Sequence, residues 1–173
     1  MADDWLRSFD EAHPEPGLPA HFLTDDVLVS YLSAPPTASE VAEVKGRSPH
    51  LDPTGWAMPA RPLPASYRTF LGRSNGGLFV VGDREFHMLK AEELREYLFL
   101  YELPATMPGA VPFALDGAGG FYLFDTRDPP DESGEYPVLW ANGGSLTYDA
   151  AADLGWSLTE AMTDGRPPGA NPG

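Results

Sequence analysis

Apolar positions recur at helical spacing in some stretches of the chain and cluster as short strand-like runs in others. At 63–77, LPASYRTFLGRSNGG, residues Tyr67, Phe70 and Leu71 fall at i, i+3 and i+4 and predict one buried helical face. Pro64 suits the first helical position, where its missing N–H costs nothing. Asn75, Gly76 and Gly77 tolerate positive φ, so the chain is expected to leave the helix there and enter a strand at 78–81.

The same reading predicts the other elements. Residues 4–12 form a short helix with Trp5, Leu6 and Phe9 on one side and Asp3 or Asp4 as its cap, and 13–21 is a Pro/Gly linker. The apolar run at 27–32 is too short to assign, although Val27, Leu28, Tyr31 and Leu32 fit a helical face. Thr37 and Glu40 have the spacing of a capping box and start a helix that buries Val41 and Val44 and ends at Gly46. Four prolines make 48–62 a loop. Strand candidates at 78–81 and 85–89 flank Gly82, Asp83 and Arg84, which suits a hairpin. A helix follows at 91–101, with Ala91, Leu94, Leu98 and Tyr101 on one face and Pro104 and Pro108 beyond its end. Strands at 111–115 and 121–125 are joined by a glycine-rich turn at 116–120, and 137–141 is a further strand. The spacing of Ala151, Leu154, Leu158, Ala161 and Met162 predicts a last helix over 148–162, and the tail at 164–173 is expected to be disordered. Asn-Gly-Gly occurs at 75–77 and again at 142–144, with unrelated flanks, which makes two independent turns and no repeat.

Composition narrows the function classes. At 173 residues with 42% hydrophobic residues the chain fits one domain with a packed core. It has no apolar run long enough for a membrane span, and its acidic N-terminal stretch does not read as a secretory signal, so a cytoplasmic protein is expected. The absence of cysteine excludes disulfides and thiolate metal sites. A net charge of −15 argues against phosphate-dependent nucleic-acid binding and against anionic membrane surfaces. The charge is uneven: residues 1–95 carry 14 acids and 9 bases, whereas 96–173 carry 12 acids against Arg127 and Arg166 alone. Such a surplus suits solubility or a basic partner.

Three segments, 63–77, 107–125 (MPGAVPFALDGAGGFYLFD) and 136–144 (YPVLWANGG), together resemble the SUKH superfamily, which holds fungal cell-wall synthesis regulators and many bacterial immunity proteins. The similarity runs from about 37 to 163. It is carried by Tyr67, Phe70 and Leu71 leading into Asn75, Gly76 and Gly77, and by Phe113 followed by Asp116, Gly117 and Gly120 before an aromatic strand. The resemblance implies an α+β domain at 37–163, its mixed or mainly antiparallel sheet covered by helices. Residues 1–36 are then an N-terminal extension with a short helix, and 48–62 is an insertion. It also implies protein binding: bacterial members typically neutralise a toxin delivered between competing cells. No catalytic motif carries over, so the matching residues transfer as structural ones.

The candidate chemistry agrees with that reading. His13, His21, His50 and His87 are scattered without metal-ligand spacing, and neither a metal nor a cofactor is expected. Gly143, Gly144 and Ser145 approach a nucleophile elbow but lack the closing glycine. The 117–120 glycines precede a strand, where a phosphate loop needs a helix. An enzyme site built from dispersed acids such as Glu85, Asp116 and Asp149 has no motif behind it. No catalytic residue is therefore assigned. The densest acidic cluster, Asp125, Asp128, Asp131, Glu132 and Glu135 with the adjoining Tyr136, does not fit a calcium loop and is the candidate surface for a basic toxin. Tyr122, Phe124 and Trp140 lie near it in sequence and, where they point outward, could anchor an interface. The alternative is a regulatory or scaffold module that docks an endogenous protein through Trp5 and Phe9.

Overall fold

A computed structural model describes residues 4–168. It is an α+β domain built on one antiparallel meander, in which every strand pairs with its neighbours in sequence. The strands are β1 (Glu11–Pro14), β2 (Gly77–Val81), β3 (Arg84–Met88), β4 (Ala110–Leu115), β5 (Gly120–Asp125), β6 (Val138–Asn142) and β7 (Ala152–Asp153). The helices are α1 (Asp25–Ser33), α2 (Ala38–Arg47), α3 (Ala65–Arg73), α4 (Leu94–Leu100), α5 (Leu103–Thr106) and α6 (Leu158–Thr163).

Helices cover both faces of the central strands, which explains why β4 and β5 are buried almost throughout. Side chains alternate along β5. Tyr122 and Phe124 face α3, where the Tyr67 ring lies 5.2 Å from that of Phe124. Phe121 faces the other way, 4.5 Å from the ring of Tyr101 just after α4. A register shift between Pro112 and Ala114 makes Phe113 the extra residue of a bulge. That turns its ring onto Phe124, 4.2 Å away, and toward Tyr67. α6 packs beside α3, while α1 and α2 pack against α4.

Local signals account for most of the elements. Thr37 and Glu40 form the expected capping box, each side chain accepting the other's backbone N–H. α2 then runs through Gly46 to Arg47 instead of stopping at the glycine. Pro64 sits one residue before α3, at its cap position. The hairpin turn is Gly82 and Asp83 alone, with Arg84 already in β3. The predicted 91–101 helix begins as a 3-10 turn over Ala91–Glu93, and Pro104 opens α5 rather than ending a helix.

Two predicted helices are corrected. The 4–12 segment is a 3-10 turn over Asp4–Ser8, after which the chain joins the sheet as β1. The Asp10 N–H donates to the Val80 carbonyl and its carboxylate accepts the Gly82 N–H, so sheet pairing takes the segment over. Trp5 and Phe9 pack on Phe70 and Phe79, which makes the N-terminal segment part of the same core. Asp3, one of the two proposed caps, lies outside the described residues.

The 148–162 segment is also not one helix. It is a 3-10 turn over Tyr148–Ala150, then β7, then α6. Gly155, at φ +110°, ends the strand in a conformation no helix passes through. The sheet edge wins this stretch: Leu154 N–H donates to the Val138 carbonyl, and Val138 N–H to that of Gly155. Ser157 then caps α6 by accepting the Glu160 N–H. Of the tail expected to be disordered, Gly165 and Arg166 are tied down: their carbonyls accept from the Asp83 N–H and from buried Arg84. Residues 169–173 lie outside the described ones.

Candidate functional site

The signature residues converge on two backbone clamps. At the exit of α3, Asn75 accepts the Ala91 N–H on Oδ1 (2.8 Å) and donates from Nδ2 to Glu92 (3.0 Å), tying the α3–β2 junction to the turn that enters α4. That bond holds the Glu92 carboxyl below its ordinary pKa. Gly77 has φ +103°, and a Cβ there would lie 2.5 Å from the His13 carbonyl of β1, so only glycine fits. At the β4–β5 turn, Asp116 accepts the N–H groups of Ala118 and Gly120 on Oδ1 and the Trp140 indole N–H on Oδ2. Burial pushes the Asp116 carboxyl up, but these three donors outweigh it and hold the group below the usual range. A Cβ on Gly120 would lie 2.3 Å from Asp116 Oδ2. Tyr67, Phe70, Leu71 and Phe113 are buried in the core.

The acidic stretch does something different from what its charge density suggests. Asp125 is chelated by Arg127 through Nε (3.0 Å) and Nη2 (2.8 Å), and the guanidinium lies 3.5 Å from the Tyr148 ring centre. Asp131 folds the loop by accepting the N–H groups of Ser133 and Glu135. Glu135 is buried, and its carboxylate accepts both the N–H and the hydroxyl of Ser66, at 2.8 and 2.7 Å. It thereby caps α3, whose cap position is occupied by a proline with nothing to offer. Tyr136 is also buried and donates its hydroxyl to the Pro62 carbonyl. Arg61 donates to the carbonyls of Thr126 and Arg127, so the 48–62 loop and the acidic loop brace each other. Tyr122 and Phe124 are buried and Trp140 is half-buried against Asp116. Asp128 and Glu132 remain as exposed acids, Asp128 acting on Arg127 only through its charge, with Asp131 exposed but engaged.

A second surface lies between α1 and the turn that enters α4. Leu18, Phe22, Val27, Leu28, Tyr31, Ala91 and Glu92 line an open groove of about 320 Å³. Phe22, Val27 and Tyr31 are 46, 41 and 37% exposed, so half of the six large exposed apolar side chains among the described residues meet here. The Leu18 N–H bonds the Leu71 carbonyl and fixes one wall; the Tyr31 hydroxyl bonds the Glu92 carbonyl and closes the end. Beyond Tyr31 a second hollow of about 410 Å³ opens between Thr37, Glu40, Glu43, Arg95, Glu96 and Phe99. Its one base is consumed. Arg95 donates to both Glu40 oxygens, at 2.7 and 2.8 Å, and to the carbonyls of Tyr31, Leu32, Ala34 and Pro35 at the end of α1. The Arg95 bond holds the Glu40 carboxyl low. Burial pushes the Tyr31 hydroxyl up; Arg95 opposes this, and the carboxylates of Glu92, Glu40 and Glu96 add to it. Glu43 and Glu96 stay exposed.

This groove escaped the sequence reading, which put Val27, Leu28, Tyr31 and Leu32 on one face. The structure buries Leu28 and Leu32 and leaves Val27 and Tyr31 outside. The signal was present: apolar residues at 27, 28, 29, 31 and 32 span more of the helix than one stripe can bury. Among the described residues, no three metal-capable side chains come together. His13 and His87 instead pair with Glu11 and Glu85 along their own strands. No helix among the described residues is long and apolar enough to cross a membrane.

Residues 60–155, from just before α3 through β7, match the SMI1 / KNR4 family (SUKH-1). The match covers more than half of the chain, and the chain belongs to that family. Among curated proteins no match was found.

Proposed function

We propose that this SUKH-1 member is a non-catalytic, cytoplasmic protein-binding domain that serves as an immunity protein, neutralising a toxin delivered by a competing cell. Family membership over residues 60–155 carries the reading, since bacterial members of the wider superfamily typically act in this way. The charge supports it: a −15 chain with exposed carboxylates draws in a basic partner and speeds encounter. Inhibition then follows from covering the toxin's active site or substrate groove, with no bond made or broken. In the regulatory alternative, which family membership also supports, Trp5 and Phe9 offer a partner only part of their surface, since both are half-buried against Phe70 and Phe79.

The test is to express the chain with the toxin encoded beside its gene, then measure complex formation and survival of the host. Tight binding with rescued growth is the expected result. A neighbouring toxin that neither binds nor is silenced overturns the reading.

A further inference from the structure

We propose that the partner docks in the groove between α1 and the start of α4, and that the segment it inserts carries one large apolar side chain beside Lys or Arg. The inference rests on the protein-binding reading above and relocates its contact surface, away from the 125–136 loop. The apolar half of the groove, walled by Phe22, Val27 and Tyr31, has the volume and lining of an anchor pocket. The adjoining hollow sets the charge of what lies next to the anchor. Glu40 is neutralised by Arg95, Glu92 is bound to Asn75, and Glu43 and Glu96 are left facing solvent, while Arg47 beside the hollow is turned onto the Phe99 carbonyl. An incoming cation next to the anchor meets those two carboxylates.

Other occupants fit less well. A second copy would bring the same carboxylates face to face on a chain of net −15. The terminal segments 1–3 and 169–173 offer no large apolar side chain except Met1 and no base. The groove walls at 18–31 and 34–43 lie outside the family-matched segment, whereas Ala91, Glu92, Arg95, Glu96 and Phe99 lie within it. The docking surface is thus assembled from the family core and from this chain's own N-terminal portion.

The experiment uses a fluorescein-labelled peptide with a single Trp between arginines, together with a Trp→Ala analogue and an analogue with glutamates for the arginines. Binding to the full chain is read by anisotropy across a salt series. The Trp–Arg peptide should bind about tenfold or more tightly than either analogue, the loss typical of a spoiled anchor. Val27→Asp and Phe22→Ser, both at exposed positions, should each weaken it by a similar factor while thermal unfolding stays cooperative. Glu43→Lys with Glu96→Lys should weaken binding at every salt concentration. Asp128→Lys with Glu132→Lys, which alter only the general field, should weaken it at low salt and leave it unchanged at high salt. Equal affinity for the Trp and Ala peptides, or binding indifferent to Val27→Asp and Phe22→Ser, overturns the proposal. So does a homodimer in sedimentation that Val27→Asp disperses. The two readings separate cleanly: a cognate toxin bound equally well by both groove variants sinks the groove alone. Peptide binding in the groove without any toxin binding sinks the immunity reading alone.

Discussion

The acidic loop at 125–136 and the acidic wall beside Tyr31 each leave two exposed acids uncommitted, Asp128 and Glu132 in one and Glu43 and Glu96 in the other. The loop, however, commits three further acids to the fold, and the wall borders an apolar groove. In the loop, Asp125 is taken up by Arg127, Asp131 by the turn it closes, and Glu135 by the first turn of α3. In the wall, one acid, Glu40, is taken up by Arg95, while Glu43 and Glu96 are left over. Density of charge in the sequence therefore does not locate a binding surface. A residue-by-residue account of which carboxylates the fold has already used narrows the candidates, because a committed carboxylate must break its own bonds before it can meet a partner. The apolar groove beside the wall is what distinguishes the two regions.

The most severe way to probe the comparison is to free an acid that the fold has committed. Arg95→Ala removes a buried guanidinium that bridges Glu40 to four carbonyls at the end of α1. The expected loss is about 3 kcal/mol, because buried acceptors are left unsatisfied. Urea unfolding measures it, and a loss under about 1 kcal/mol shows the bridge to be dispensable. Glu135→Ala should come next, at about 1–2 kcal/mol, the cost of losing a helix cap. Asp128→Ala, from the same loop, should cost almost nothing. If the two variants unfold at the same urea concentration, the division within the loop is wrong.

Much of this was legible in the sequence, and the failures share a cause. The α3 face, the positive-φ glycines after it, the β4–β5 hairpin and the Thr37 box are local signals, and the structure keeps them. Segments 4–12 and 148–162 had helical spacing, yet each is broken by a short sheet-edge strand because backbone partners on β2 and β6 were waiting. Local periodicity carries no information about a distant unpaired edge. The same limit applied to Glu135, whose partner Ser66 is 69 residues away. Neither its burial nor that of Tyr136 can be inferred from a run of acids and prolines. Outward Val27 and Tyr31 were missed because a helical wheel counts apolar residues without showing how many the core can accept.

Acid should expose the committed carboxylates as a group. Glu40 is held low by its bond to Arg95. Asp125 and Asp116 are pushed up by burial and drawn below the usual range by Arg127 and by the turn donors, respectively. Each is a carboxylate whose folded pKa lies below its unfolded one. Its contribution is complete above the unfolded value of about 4 and is lost as pH falls through the folded one. Stability measured by urea midpoint should thus hold near neutrality and decline below about pH 4.5. Glu40→Gln should make that decline shallower. An unchanged slope in the variant would show that the Arg95 bond does not control this titration.

The smallest expected effect is on stability and the sharpest on recognition. Glu43→Gln with Glu96→Gln, in the wall, and Asp128→Asn with Glu132→Gln, in the loop, each remove two exposed charges. Both double variants should sit within about 0.5 kcal/mol of the parent, since neither breaks a bond of the fold. Net charge falls equally in the two, so any long-range attraction of a basic partner weakens alike and the association rate drops by a similar factor. Dissociation is where they must differ. A carboxylate in contact with the bound cation slows its escape, whereas one that only contributes to the general field does not. Stopped-flow measurement with the cognate partner should show faster dissociation for the wall pair alone. Faster dissociation for the loop pair instead would return the contact to 125–136, through the acids that loop leaves exposed.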